Sequence, residues 1–296
     1  MIAKTLFGFE EILAKELRNL GAVNVTEGVR CVFFEGDKGF MYKANLCLRT
    51  AIKIIKPIHS CNVALDTSGR SLHQRGYRTA TNIAPINEVL AAGCLLLSGW
   101  DGQSDFMDPM CGSGTFLTEA AMIACNIPAN INRKEFAFEK WMDFDEDLFE
   151  KIVDSSLSKT REFNFKITGY DKAPSAVRKS IDNVENANLT EYITVEHKNF
   201  FETEKEIEGH LQMVFNPPYG ERLNIEMEEF YAQIGDTLKK NYPGTDAWFI
   251  TSNLEALKYV GLRPSRKIKV FNSHLESRLV KYVMYEGSKK AKFNKE

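Results

Sequence analysis

Residues Asn216-Pro217-Pro218-Tyr219 follow the apolar run Met213-Val214-Phe215, so they form a short loop directly after a predicted strand. Their types suit one chemical task. An exocyclic amine on a nucleobase is a weak nucleophile because its lone pair is delocalised into the ring. The Asn216 side-chain oxygen and the Pro217 carbonyl can accept the two N–H hydrogens and push the nitrogen toward a tetrahedral form. Tyr219 can stack on the base and hold it in line with a methyl donor. Pro217 and Pro218 stiffen the loop. The plainer reading, an Asn-Pro turn, is disfavoured by the strand before it and by a glycine loop upstream. These four residues are the candidate catalytic set.

The upstream loop is Asp108-Pro109-Met110-Cys111-Gly112-Ser113-Gly114-Thr115. It follows a predicted strand over 105–108 and opens a helix. Gly112 and Gly114 let the backbone turn tightly and approach a ligand, with helix N–H groups pointing into the same space. A side chain at Gly114 is expected to fill the ligand's place and leave the fold intact. The loop lacks the three-glycine spacing of a dinucleotide fingerprint and the lysine of a P-loop. Asp108, Pro109, Cys111, Gly112, Ser113, Gly114 and Thr115 are its candidate cofactor contacts; Cys111 is given no nucleophilic role.

Asp171 ends the next predicted strand, where a carboxylate can accept both hydroxyls of a ribose. An N-cap is the other reading of the same residue. Asn199 and Phe200 follow the strand after that. The amide can reach an adenine amino group and the ring can pack on the base, or Asn199 is simply a turn residue.

Two regions suit nucleic acid. His73, Arg75, Tyr77 and Arg78 cluster in His-Gln-Arg-Gly-Tyr-Arg and could bind a phosphate or a flipped base, or Arg75 and Arg78 could pair with acids in an interdomain joint. From Lys258 onward, eleven Lys and Arg stand against three Glu, with Lys267, Lys269, Phe271 and Arg278 interleaving charge and aromatic rings. That patch reads equally as a phosphate contact or as a solvated edge of two strands.

Loops of this kind need strands that end side by side. After about residue 84, apolar helices alternate with strands over 105–108, 166–171, 192–198, 210–216 and 247–251, and a hairpin over 267–271 and 279–285 closes the pattern. Such alternation predicts an α/β, Rossmann-like doubly wound sheet with ligands at the carboxyl ends of its strands. The first 58 residues follow the order βαββαβ of a small ferredoxin-like α+β unit. The predicted division is 1–58, a connector over 59–83, the Rossmann-like domain over 84–288, and a disordered tail over 289–296. An acidic, aromatic insertion around Trp141 and Phe144 separates Asp108 from Asp171.

Composition narrows the class. The chain of 296 residues is 44% hydrophobic and 26% charged, with a net charge of −2. No stretch reads as a membrane span or a signal peptide. Six dispersed cysteines without a CxxC pair, and His197, His210 and His274 without ligand spacing, predict no metal site and reduced thiols in a cytoplasm.

Together, the glycine loop, Gly169-Tyr170-Asp171-Lys172-Ala173-Pro174, Asn216–Tyr219 and His73–Arg78 resemble the bacterial large-subunit ribosomal RNA guanine-N-methyltransferases, nearly along the whole chain. The resemblance implies S-adenosyl-L-methionine at the glycine loop and a guanine exocyclic amine as acceptor. It places Asp108, Gly112, Gly114, Asp171 and Asn199 on the cofactor and Asn216, Pro217 and Tyr219 on the base. It also implies a THUMP RNA-binding module after the ferredoxin-like unit, yet residues 55–58 run almost directly into 61–67. A break in the chain between Pro57 and Val63, where that module has been dropped, is therefore expected. Three other readings remain: a DNA adenine amino-methyltransferase, which would need a separate specificity domain; a non-catalytic RNA-binding protein; and a dinucleotide-dependent oxidoreductase.

Overall fold

A computed structural model describes residues 1–58, 63–79, 85–218, 227–272 and 275–285. The N-terminal unit runs β1 (Ile2–Lys4), α1 (Glu10–Leu20), β2 (Val23–Gly28), β3 (Cys31–Glu35), α2 (Lys38–Cys47) and β4 (Lys53–Pro57). Leu13, Ala14 and Leu17 bury one face of α1, and Gly21 ends the helix at a φ of 102° that favours glycine. Asp37 caps α2 by accepting a hydrogen bond from the Phe40 N–H at 2.7 Å. All strand pairs are antiparallel and the order is β2-β3-β1-β4-β5, the ferredoxin-like arrangement plus one strand. The extra strand, β5 (Ala64–Asp66), falls in the predicted connector. Pro57 pairs with Ala64, and the Ile58 N–H donates to the Val63 carbonyl at 3.0 Å. The two strand ends flanking the expected break thus pair side by side; residues 59–62 lie outside the described residues.

The rest of the chain forms α3 (Glu88–Ser98), β6 (Asp105–Asp108), α4 (Thr115–Ala124), α5 (Glu146–Leu157), β7 (Ile167–Asp171), α6 (Pro174–Asn186), β8 (Ile193–His197), β9 (Leu211–Phe215), α7 (Met227–Asn241), β10 (Thr245–Thr251), β11 (Arg266–Asn272) and β12 (Leu275–Met284). The sheet order is β11-β12-β10-β9-β6-β7-β8. The five strands from β10 to β8 are parallel, and β12 enters antiparallel between β10 and β11. From β6 the chain steps outward to β7 and β8, then returns to lay β9 on the other side of β6. The switch point therefore lies between β6 and β9, where an open α/β sheet leaves a crevice for ligand.

Every residue of β9 is buried, as expected of a central strand covered on both faces. Val214 joins Phe106, Phe116 and Trp248 in one core, whereas Met213 and Phe215 join Phe230, Tyr231 and Phe249 in the other. The insertion before β7 covers the N-terminal unit. Phe138 stacks on Tyr42 with centroids 4.5 Å apart, and Phe136, Phe144 and Phe149 pack around them. Phe9 seals the contact with α3: a Cβ built at Gly93 would lie 2.1 Å from its ring. Among the described residues no helix is long and apolar enough to cross a membrane.

Candidate active site

Four candidate segments meet at neighbouring strand ends. Asp108 pairs with Gly169 and Asp171 with His197, and Met107 of β6 pairs with Met213 of β9. The glycine loop therefore adjoins Asp171 on one side and the Asn216 loop on the other.

The glycine loop is tied down from β7. The Cys111 N–H donates to the Tyr170 carbonyl at 2.8 Å, and the Gly112 N–H donates to Asp171 Oδ2 at 3.0 Å. Gly112 and Gly114 have φ of 56° and 78°. Ser113 is buried and its carbonyl accepts from the Asn183 side chain. The expectation for Gly114 is corrected here: a Cβ there would lie 2.4 Å from Ser180 Oγ of α6, so it meets the protein rather than open ligand space. Gly169, which carried no sequence signal beyond its neighbourhood, has the same function. Its Cβ would lie 2.3 Å from Leu117 Cδ1 and 3.3 Å from Cys111.

Asp171 accepts from Gly112 through Oδ2 and from the Ala173 N–H through Oδ1 at 2.8 Å. Each carboxylate oxygen keeps a second lone pair, so these bonds orient the group without exhausting it. Asp108 is 2% exposed and accepts from the Met110 N–H at 3.1 Å. Burial pushes its carboxyl well above the ordinary carboxylate range, and the charge of Asp171 adds to that. Burial also holds the Cys111 thiol well above its usual value, with Asp108 and Asp171 reinforcing it, which suits no nucleophile.

At the end of β9, Pro217 is buried and Pro218 half-buried. Asn216 Oδ1 is buried and, among the described residues, has no hydrogen-bond partner. A buried, unpaired amide oxygen is costly unless a ligand satisfies it. Tyr219 lies outside the described residues.

Two sets of expected contacts do not hold as read. Asn199 caps the 3-10 turn Phe200–Glu202, accepting from the Phe201 N–H and donating to Glu202 Oε1 at 2.7 Å. It still lines a cavity of about 600 Å³ with Lys172, His197, Lys198 and Asn241, beyond the ends of β7 and β8. Phe200 is 2% exposed and packs against Phe215 and Tyr242, so its ring belongs to the core instead of facing a ligand.

In the connector, Arg75 and Tyr77 are buried and face inward, which corrects their reading as RNA contacts. Arg75 pairs with Glu119, and the Tyr77 hydroxyl donates to the same carboxylate at 3.1 Å. Arg78 reaches Glu88 at 3.2 Å and donates to Thr115 Oγ1 at 2.6 Å, bracing the first residue of α4. His73 is half-buried, with Nδ1 2.7 Å from Ser71 Oγ; burial and then the charges of Arg75, Arg78 and Arg133 lower its pKa. Glu119 and Arg133 were missed. A lone acid in the apolar helix Thr-Phe-Leu-Thr-Glu-Ala-Ala-Met-Ile-Ala is the signal that pointed to a buried partner for Glu119.

The profile of a family described as "RMKL-like, methyltransferase domain" matches residues 75–281, and that of the "RlmL ferredoxin-like domain" matches 1–55. The ribosomal RNA large subunit methyltransferase K/L of Marinomonas sp. is 31% identical over 280 residues, 90% of this chain and 39% of that protein. A putative RNA methyltransferase of Synechocystis sp. is 36% identical over 229 residues, 76% of this chain and 59% of that protein. The chain thus spans less than two thirds of the length of these curated relatives. The crystal structure of SMU.472, a putative methyltransferase complexed with SAH, superposes with a TM-score of 0.86 at 24% identity, covering 97% of this chain and 98% of that one; this likeness concerns the fold.

Proposed function

The chain belongs to the RMKL-like methyltransferase-domain family, and on that footing we propose that it methylates the exocyclic N2 amine of a guanine in large-subunit ribosomal RNA, using S-adenosyl-L-methionine. The observation that carries this reading is the buried, unpaired Asn216 Oδ1 at the switch point, beside a glycine loop. The names of the relatives support an RNA substrate.

The residues present fit the cofactor. A tight loop with N–H groups at the head of α4 and a carboxylate with free lone pairs at Asp171 suit a ligand that carries a ribose and a carboxylate. When bound, S-adenosyl-L-methionine supplies an electrophilic methyl group on a sulfonium. The chain's own residues do the rest. Asp171 accepts the ribose hydroxyls. Gly112 and Gly114 let the backbone come close, and Thr115, held by Arg78, fixes the start of α4. Asn216 Oδ1 and the Pro217 carbonyl accept the two amine hydrogens, which localises the nitrogen lone pair and aims it at the methyl carbon. Tyr219 is assigned to the base face. In this reading the N-terminal unit spans 1–58, the connector 59–83 and the methyltransferase domain 84–288.

The test is transfer of a tritiated methyl group from S-adenosyl-L-methionine to ribosomal RNA, followed by digestion to nucleosides. Label in N2-methylguanosine is expected. Label in a methylated adenosine, or on DNA in preference to RNA, would overturn the guanine assignment.

A further inference from the structure

The edge strand β11 carries an alternation that the function above leaves unused. Lys267, Lys269 and Phe271 point to one face, while Val270 points to the core. The register places Arg278 opposite Lys269 and Glu276 opposite Phe271, so the same face continues onto β12. Lys267 and Arg278 line a groove of about 410 Å³ with Lys258, Leu254, Leu257 and Pro264. At the far end Phe7 of the N-terminal unit, 46% exposed, meets Phe271 edge-on with centroids 5.6 Å apart. Lys269 Nζ lies 5.2 Å from the centre of the Phe271 ring.

We propose that this face is a track for single-stranded RNA, running from the active-site side of the sheet across β11 to the Phe7–Phe271 pair. The assignment rests on the RNA reading above and extends it to a named surface. Two observations and one chemical requirement carry it. Arg278 is level with Thr251 at the carboxyl end of β10, and the β9–β10 register, continued two residues, sets Pro217 level with Thr251 as well. Two strand spacings, roughly 10 Å, therefore separate the groove from the catalytic loop. The cations from Lys267 along β11 and the ring of Phe271 extend over roughly 13 Å, too long for one small anion and suited to successive phosphates with a base on an aromatic platform. A target base that must leave its stack also delivers flanking nucleotides as single strand.

Among the described residues two acids oppose the track: Glu255 lies 3.5 Å from Lys258, and Glu276 holds the strand cations. Glu276 lies 2.6 Å from Lys269 and 2.7 Å from Arg278, so it holds two of the cations that phosphates would take. This gives the proposal a two-way test. Binding of a fluorescein-labelled dodecauridylate to the full chain is measured by anisotropy across a salt series, with cofactor affinity by calorimetry alongside. Lys267→Ala with Lys269→Ala should weaken RNA binding about tenfold and flatten the log–log salt slope by about 1.4, near 0.7 per lost contact to a single strand. Glu276→Gln should tighten binding several-fold. Lys239→Ala with Lys240→Ala, two exposed lysines in the last turn of α7, should change it less than twofold. Cofactor affinity should stay constant throughout. Equal losses in the β11 and α7 variants, or a Glu276→Gln variant that binds no more tightly, would overturn the track. If the wild type still methylated ribosomal RNA in that case, the track alone would have failed; tracking without methyl transfer would sink the enzymatic reading instead.

Discussion

Arg75 and Glu119 form an ion pair 3.3 Å apart in which neither side chain has any exposure. Arg75 comes from the connector and Glu119 from α4, the helix that the glycine loop opens. The guanidinium also donates to the carbonyls of Leu72 and Arg49 and to Asn130 Oδ1. One planar cation thus joins the N-terminal unit, the connector and the helix behind the glycine loop. Removing it leaves the buried Glu119 with the Tyr77 hydroxyl and the neighbouring Arg49 charge but no ion-pair partner among the described residues, which costs about 3 kcal/mol. Arg75→Ala should show that loss in urea unfolding. Arg75→Lys should recover little, because an ammonium cannot reproduce the fork that reaches all four acceptors. A near-native Arg75→Lys would show that the charge alone matters.

Glu88 makes stability depend on pH. Burial pushes its carboxyl up from an ordinary 4.5 to about 7, and the nearby Arg78 opposes this only in part. The folded state therefore holds a proton that the unfolded chain releases between those values. Stability from this group is fully present below about 4.5 and is lost as pH rises through about 7, a decline on the order of 3 kcal/mol. Glu88→Gln should unfold with a flatter pH profile across that window. An unchanged slope would assign the effect to other groups.

Gly114 and Ser180 test how the cofactor loop is shaped. Gly114→Ala should lower stability by about 1–3 kcal/mol, since it strains a left-handed backbone and forces α6 aside. It should weaken cofactor binding through the displaced loop. Adding Ser180→Gly removes the group that the new methyl meets and should restore part of both. Recovered stability without recovered cofactor affinity would mean that the new methyl hinders the cofactor directly.

Much of this site was legible because its signals are local. The glycine loop, Asp171 and Asn216 each follow a short apolar strand, and strand ends are where a doubly wound sheet gathers ligands. The connector was harder. Arg75, Tyr77 and Arg78 announce charge and aromatic surface, but their partners Glu119 and Glu88 lie on other helices, and a sequence does not show which way an arginine turns. Phe200 failed similarly, because its burial depends on Phe215 and Tyr242 from distant segments. The insertion around Trp141 and Phe144 was legible as an insertion, but not where it packs, nor that Phe136, Phe138 and helix α5 belong with it. Their packing against Tyr42 assigns them to the N-terminal unit's core, a pairing fixed only by tertiary structure.

Asn216 offers the sharpest test of the chemistry. Its Oδ1 is buried and unpaired among the described residues, so the structure already carries the desolvation cost of an acceptor held ready for a donor. An N–H of the target amine would satisfy it. Because positive charge develops on that nitrogen as the methyl group moves, its N–H becomes a better donor and the hydrogen bond is stronger in the transition state than in the ground state. Asn216→Ala should then lower kcat by on the order of a hundredfold or more, as expected for a lost preorganised partner. Cofactor affinity should hardly change, since the proposed reading assigns Asn216 to the substrate side of the switch point. Stability should hold or rise, because the variant removes a buried polar group with no partner. Single-turnover methyl transfer, cofactor calorimetry and thermal unfolding on the same preparation separate these effects. An Asn216→Ala enzyme of near-native rate would refute the assigned role, and a large loss of cofactor affinity would move Asn216 to the cofactor side of the cleft.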